Sequence, residues 1–179
     1  MQVLLMLSMA YAAIGLLLSL CVHLLSILGI QPAGNGIFFA LHAGIFPLWF
    51  FIMLPISKMF NGVQMFNGAQ TSKDFWKVVL RGCPTWMKYM TYGFFIYAGV
   101  NFLIFFLTAP YGKLPGGGPP PSVWHGFSGH WMAFYSAGLA VATSAYRIGW
   151  GNLIGKCPNG HDVAPGYMYC PICGTKIGM

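Results

Sequence analysis

The residues best placed to do chemistry are gathered near the C-terminal end. Cys157 and His161 are separated by three residues, Cys170 and Cys173 by two, and the pairs stand eight residues apart. Two closely spaced pairs of thiolate and imidazole ligands are what a tetrahedral zinc ion needs, since each pair can straddle a tight turn and aim two side chains at one metal. Pro158, Gly160, Pro171 and Gly174 supply those turns. Reduced thiols in a tail, or a single disulfide, are the competing reading. Against it, ordering this segment costs about 1.5 kcal/mol per residue, and only Val163, Tyr167, Tyr169 and Ile177 are available to bury. A structural zinc contributes about 10–16 kcal/mol. With all four positions filled by protein, no site stays open for water, so the expected role is structural and not catalytic.

The same residues carry a resemblance. Cys157-Pro158-Asn159-Gly160-His161, then Val163-Ala164-Pro165, then Cys170-Pro171-Ile172-Cys173-Gly174 resembles the small bacterial zinc ribbons, in which two knuckles joined by a short hairpin grip one zinc. The resemblance implies Cys157, His161, Cys170 and Cys173 as ligands and a ribbon over about 156–177. His161 departs from the four-Cys form, replacing a thiolate with a neutral ligand. The likeness covers about an eighth of the chain and names a fold that serves many functions.

The remaining histidines are His23, His42, His125 and His130. His23 and His42 flank a Pro/Gly turn at similar distances, so they are expected at similar depth on neighbouring helices. Together with His130 they form a possible second site, for haem iron or copper, since ionisable groups at membrane depth are functional suspects. Hydrogen bonding between helices is the preferred reading, with His125 placed in a loop. Gly126-Phe127-Ser128-Gly129 resembles the GxSG of rhomboid intramembrane proteases, which implies a nucleophilic serine. That family needs six helices and a histidine on the last, which this chain lacks, so Ser128 is read as a helix cap.

The elements that position these groups follow from composition. Hydrophobic residues make up 57% of the 179 and charged residues 6%, against about 25% charged in a soluble domain. Two acids, Asp74 and Asp162, and no Glu exclude paired-carboxylate catalysis. The first charge is Lys58. Four stretches, about 3–30, 36–57, 89–108 and 129–146, approach or exceed the roughly 20 apolar residues that span a bilayer. The second carries Pro55 and is expected to end near it. No Asp, Glu, Lys or Arg lies deep in any of them, so a proton relay or ion-coupled transporter lacks its usual parts.

Lys58, Lys73, Lys77, Arg81 and Lys88 fall between the second and third stretches, and the positive-inside rule makes that connection cytoplasmic. Both termini are then cytoplasmic and the protein a multipass resident of the cell membrane. Residues 59–64 and 65–70 repeat as MFNGVQ and MFNGAQ, and a short interfacial helix over about 72–81 is expected to set its bases toward anionic lipid. Ser136, Ala140 and Ser144 recur every four residues, a small-residue face that lets helices approach. Asn101 is expected to hydrogen-bond across helices.

The fold class is therefore an all-α membrane protein, with four transmembrane helices in residues 1–150 and a C-terminal cytoplasmic zinc ribbon. The function expected is that of a non-enzymatic accessory or assembly subunit. Its partners are the bilayer and a protein bound through the ribbon or the helices, with no nucleic acid. The alternative is a haem- or copper-binding redox or metal-handling protein that uses the outer histidines.

Overall fold

A computed structural model describes residues 2–30, 35–61, 76–77, 79–108, 120–149, 155–163 and 168–177. Among them are four long helices, α1 (Gln2–Ile27), α2 (Asn35–Asn61), α3 (Thr85–Thr108) and α4 (Pro121–Ile148), and a two-stranded antiparallel sheet of β1 (Gly155–Lys156) and β2 (Asp162–Val163). Three are long and apolar enough to cross a membrane: α1, α2 over Gly36–Met53, and α3. The fourth expected span does not meet that measure. Its sequence explains why, because α4 interleaves Gly, Ser and His with its apolar residues.

What α4 lacks in hydropathy it makes up in burial. Seventeen of its 28 residues are buried, against four of 24 in α3, so α4 is the inner helix and the others shield it. Cross-helix contacts fix the directions. Tyr97 and Asn101 of α3 reach the His23 and His125 level, while Thr91 reaches Ser136. His23 meets Ser128 and Gly15 meets Tyr135, so both α1 and α3 run antiparallel to α4. Leu41 meets Tyr135 and Leu48 meets Gly138, so α2 runs parallel to it. The result is an up-down-up-down bundle.

Small residues make the approach possible. Ser136, Ala140 and Ser144 are all buried to 0% exposure, as the spacing predicted. A Cβ at Gly15 would fall inside the Tyr135 ring, and one at Gly138 would stand 2.6 Å from Leu48 Cδ2. Dispersion between closely fitted surfaces, and not escape from water, holds helices together in lipid. Tyr135 completes its fit by donating its hydroxyl to the Leu41 carbonyl at 2.9 Å, and Tyr11 donates to that of Gly44 at 3.1 Å.

Several boundaries differ from the sequence reading. Helix α4 begins at Pro121 with Pro120 as its N-cap, eight residues before the expected start (129 − 121). Proline at the first position is pre-set for a helix and loses no bond there, so Ser128 lies inside the helix and is not its cap. His125 is likewise helical and not in a loop. Helix α2 continues past Pro55 to Asn61, because one missing donor costs less than exposing a whole turn of backbone in an apolar setting.

Helix α1 ends as a Schellman motif, with Ile30 N–H donating to Leu25, Gly29 N–H to Ser26, and Gly29 at φ 72°. Of the expected interfacial helix, Trp76, Lys77 and Val79 are helical, Val79 and Leu80 are buried against the bundle, and Lys77 is exposed. The turn after them docks on α4: Gly82 N–H donates to Ser144 Oγ at 2.9 Å, and Arg147 Nη1 to the Gly82 carbonyl at 3.2 Å. Most of the hexapeptide repeat, Lys73 and the Pro/Gly-rich 114–119 stretch lie outside the described residues.

Gly15→Ala should destabilise the bundle by about 1–3 kcal/mol, the usual cost of overpacking. Gly93→Ala, where an added Cβ meets nothing within 4 Å, should be neutral or slightly stabilising. Thermal melts of the two variants in one detergent check the contrast.

Candidate metal centre

Two knuckles build the site. In the first, Gly160 N–H donates to the Cys157 carbonyl at 2.8 Å and Cys157 N–H to that of His161 at 2.9 Å. In the second, Gly174 N–H donates to the Cys170 carbonyl and Cys170 N–H to that of Thr175, both at 2.8 Å. Gly160 at φ 82° and Gly174 at φ 67° take the left-handed conformation that each turn requires. Strands β1 and β2 pair Gly155 with Val163 and Lys156 with Asp162, so the first knuckle is the tip of a hairpin. The bridge between Tyr169 and Lys176 closes the second.

The knuckles bring all four expected ligands together, with one donor atom from each of Cys157, His161, Cys170 and Cys173 lying within 4.8 Å of the others. The separations are those of a coordination sphere. Zinc–sulfur bonds of about 2.3 Å and zinc–nitrogen bonds of about 2.0–2.1 Å at tetrahedral angles place S···S at about 3.8 Å and S···N at about 3.5 Å. Cys157 Sγ stands 3.8 Å from Cys173 Sγ and 3.5 Å from His161 Nδ1, and Cys170 Sγ stands 3.9 Å from that nitrogen. The donor set fits one metal ion such as zinc. Its apolar support is small: Cys157, Val163 and Cys170 are buried, with Ile177 packed against them.

Two residues that sequence reasoning passed over hold the Cys173 sulfur. Asn159 Nδ2 donates to Cys173 Sγ at 3.4 Å and to Thr175 Oγ1 at 3.0 Å, and Thr175 Oγ1 lies 3.2 Å from Cys173 Sγ. The Thr175 hydroxyl and backbone N–H, followed by Asn159, bring the Cys173 thiol down to about 5. Desolvation opposes ionisation at Cys157, yet the N–H groups of His161 and Asn159 leave its thiol below the ordinary range. The signal for Asn159 and Thr175 was their place inside the knuckles, where a polar side chain can reach a ligand sulfur.

The bundle histidines form two pairs. His23 and His125 rings lie 4.5 Å apart, and those of His42 and His130 are stacked at 5.8 Å. Trp131 Nε1 donates to His42 Nδ1 at 3.3 Å. His23 stands between Tyr97, at 2.6 Å from Nε2, and Ser128, at 2.7 Å from Nδ1. Asn101 Nδ2 donates to the His125 carbonyl at 2.7 Å, the cross-helix bond expected of it. Among the described residues, the C-terminal cluster is the one group of three or more such side chains gathered to metal-binding distance, and His23, His42 and His130 are not in it.

Ser128 thus has a histidine after all, from α1. The polarity of the contact is not that of a nucleophile and its base. Ser128 Oγ donates its proton to the His125 carbonyl at 2.9 Å, so it accepts from His23. No protein family model, curated protein or solved structure matches the chain, and the site's geometry carries the functional reading alone.

Metal analysis of purified protein should find one ion per chain, lost on Cys170→Ser or Cys173→Ser. His161→Cys should retain it, because thiolate can take an imidazole's corner. Asn159→Ala should lower metal affinity by about 10–100-fold, as loss of an outer hydrogen bond to a ligand does. A chelator competition series measures this.

Proposed function

We propose that the chain is a small multipass membrane protein whose zinc ribbon docks a protein partner, in the manner of an accessory or assembly subunit. The observation that supports this most is the ribbon's surface. Met168 is 60% exposed, Tyr169 55% and Ile172 65%, so a unit held by a metal and a handful of buried side chains keeps much of its apolar material outside. Aromatic residues and Met are enriched at interfaces. Tyr167, which the sequence adds to this surface, lies outside the described residues.

In this reading all four helices cross the bilayer, with α4 carried inside the other three. The bases from Lys58 to Lys88 and the ribbon then face the cytoplasm, where thiols stay reduced for zinc. Four-residue ligation leaves the zinc structural. It presents the docking face by fixing both knuckles.

Co-purification in mild detergent tests the docking, comparing full-length chain, a chain ended after Trp150, and a Met168→Ala, Tyr169→Ala, Ile172→Ala variant that keeps its ligands. The shortened chain should insert normally, since the helices satisfy their backbone without the ribbon. Both altered chains should lose a partner that the full-length protein recovers. Recovery of the same proteins by all three would refute the docking role. Cysteines introduced at Asn67 and Gly117 should label from opposite sides of intact cells, and labelling of both from outside would overturn the orientation.

A further inference from the structure

The described charges of the bundle all lie at one end, where α2 and α4 finish and α3 begins. Lys58 is near the end of α2, Lys77 and Arg81 precede the docked turn, Lys88 is in the first turn of α3, and Arg147 is in the last turn of α4. The described residues of the opposite end hold no Lys or Arg. Two of the cations meet at the turn. Arg147 Nη1 donates to the Gly82 carbonyl at 3.2 Å. Burial pushes the thiol of the next residue, Cys83, up, and the charges of Lys88 and Arg147 act against that shift, so both stand close to it. Arg81, on the other side of Gly82, is exposed.

The chain has little with which to balance this charge. Of its two acids, Asp162 is in β2 opposite Lys156, and Asp74, outside the described residues, cannot alone neutralise five bases. Helix α3 has no acid in its first turn, where the helix dipole favours an anion. What surrounds the bases says which anion fits. Trp86, Tyr89 and Tyr146 are exposed at the same end, the residue types that collect at headgroup level. A groove of about 140 Å³ lined by Trp76, Leu80, Thr91, Tyr92 and Phe95 opens beside them. Thr91, Tyr92 and Phe95 follow Lys88 by three, four and seven residues, the spacing of one helix face. Side chains lean toward a helix's N-terminus, so Lys88 reaches past the end of the groove toward Cys83. The groove is below the roughly 300–1,000 Å³ of small-molecule pockets and suits a stretch of acyl chain lying along α3.

We propose that this end of the bundle holds one anionic phospholipid, its phosphate among Arg81, Lys88 and Arg147 and the start of an acyl chain in the groove beneath Lys88. A soluble anion would use the bases and leave the groove, and a neutral lipid would do the reverse. The inference rests on the helices crossing a bilayer and not on the ribbon's docking role, so either can fail without the other.

The full chain in a neutral detergent tests this, with affinity read from the rise in melting temperature as lipid is added. Dioleoyl phosphatidylglycerol should bind at least about tenfold more tightly than dioleoyl phosphatidylcholine, which has no net charge, because each base beside an anionic headgroup contributes about fivefold. Glycerol phosphate, the same headgroup chemistry without chains, should give no rise at equal concentration. Arg81→Gln combined with Lys88→Gln should weaken phosphatidylglycerol about 10–30-fold. Arg81→Gln alone, at an exposed position, should weaken it about fivefold and decides the matter if the pair does not fold. Lys156→Gln with Lys176→Gln removes the same charge from the ribbon and should change nothing. Equal binding of the two lipids, an equal rise with glycerol phosphate, an equal loss in the ribbon pair, or no loss in Arg81→Gln overturns the proposal. A response to a poly-glutamate peptide in place of phosphatidylglycerol would assign the bases to an acidic protein and overturn it as well.

Discussion

Helix α4 carries Ser122, His125, Ser128, His130, Ser136, Thr143 and Ser144, and a buried polar group costs free energy unless it is hydrogen-bonded, a condition that the Ser122 and Thr143 hydroxyls do not meet. This requirement organises the bundle. Ser128 and Ser136 turn back onto carbonyls of their own helix at 2.9 Å each. Ser144 receives a backbone donor from the docked turn at Gly82. His125 and Ser128 meet His23 and Ser26 of α1, and Asn101 and Tyr97 come across from α3. The outer helices are apolar toward their surroundings and polar at the few levels where α4 needs them.

The same requirement explains what could be seen in the sequence. Runs of apolar residues mark α1, α2 and α3, the three helices long and apolar enough to cross a membrane, because each keeps an unbroken apolar face on the outside of the bundle. The inner helix has no such face, so its apolar signal is interrupted, and the Gly-Ser-His stretch from Ser122 to Ser128 reads as a connection when it is the first turns of α4. The small-residue spacing of Ser136, Ala140 and Ser144 was legible because close approach needs small side chains wherever it occurs. The partners of His23 were not, since Tyr97 and Ser128 lie 74 and 105 residues away in the chain and nothing local announces such pairs.

At the metal centre the balance is reversed. Ligand spacing and turn residues are local, so Cys157, His161, Cys170 and Cys173 could be assigned from their order alone, and their donor atoms do converge. The knuckle backbone makes this possible, with two left-handed glycines reversing the chain within a few residues. The hydrogen bond of Asn159 to the Cys173 sulfur depends on how one knuckle faces the other. That is a three-dimensional relation which spacing does not record.

The position of α4 has a consequence for biogenesis. A chain is made from its N-terminus, so α1, α2 and α3 leave the ribosome while the helix that fills their centre is still unmade. Until it arrives, His23 and Asn101 lack the partners that α4 brings, and the glycine notch at Gly15 stands open with no Tyr135 to receive. Three helices that look self-sufficient by hydropathy are, during synthesis, a vessel awaiting its contents. Assembly of this bundle is thus a late event, completed only once the last helix has been made, and the metal knuckles, further along the chain still, emerge after it.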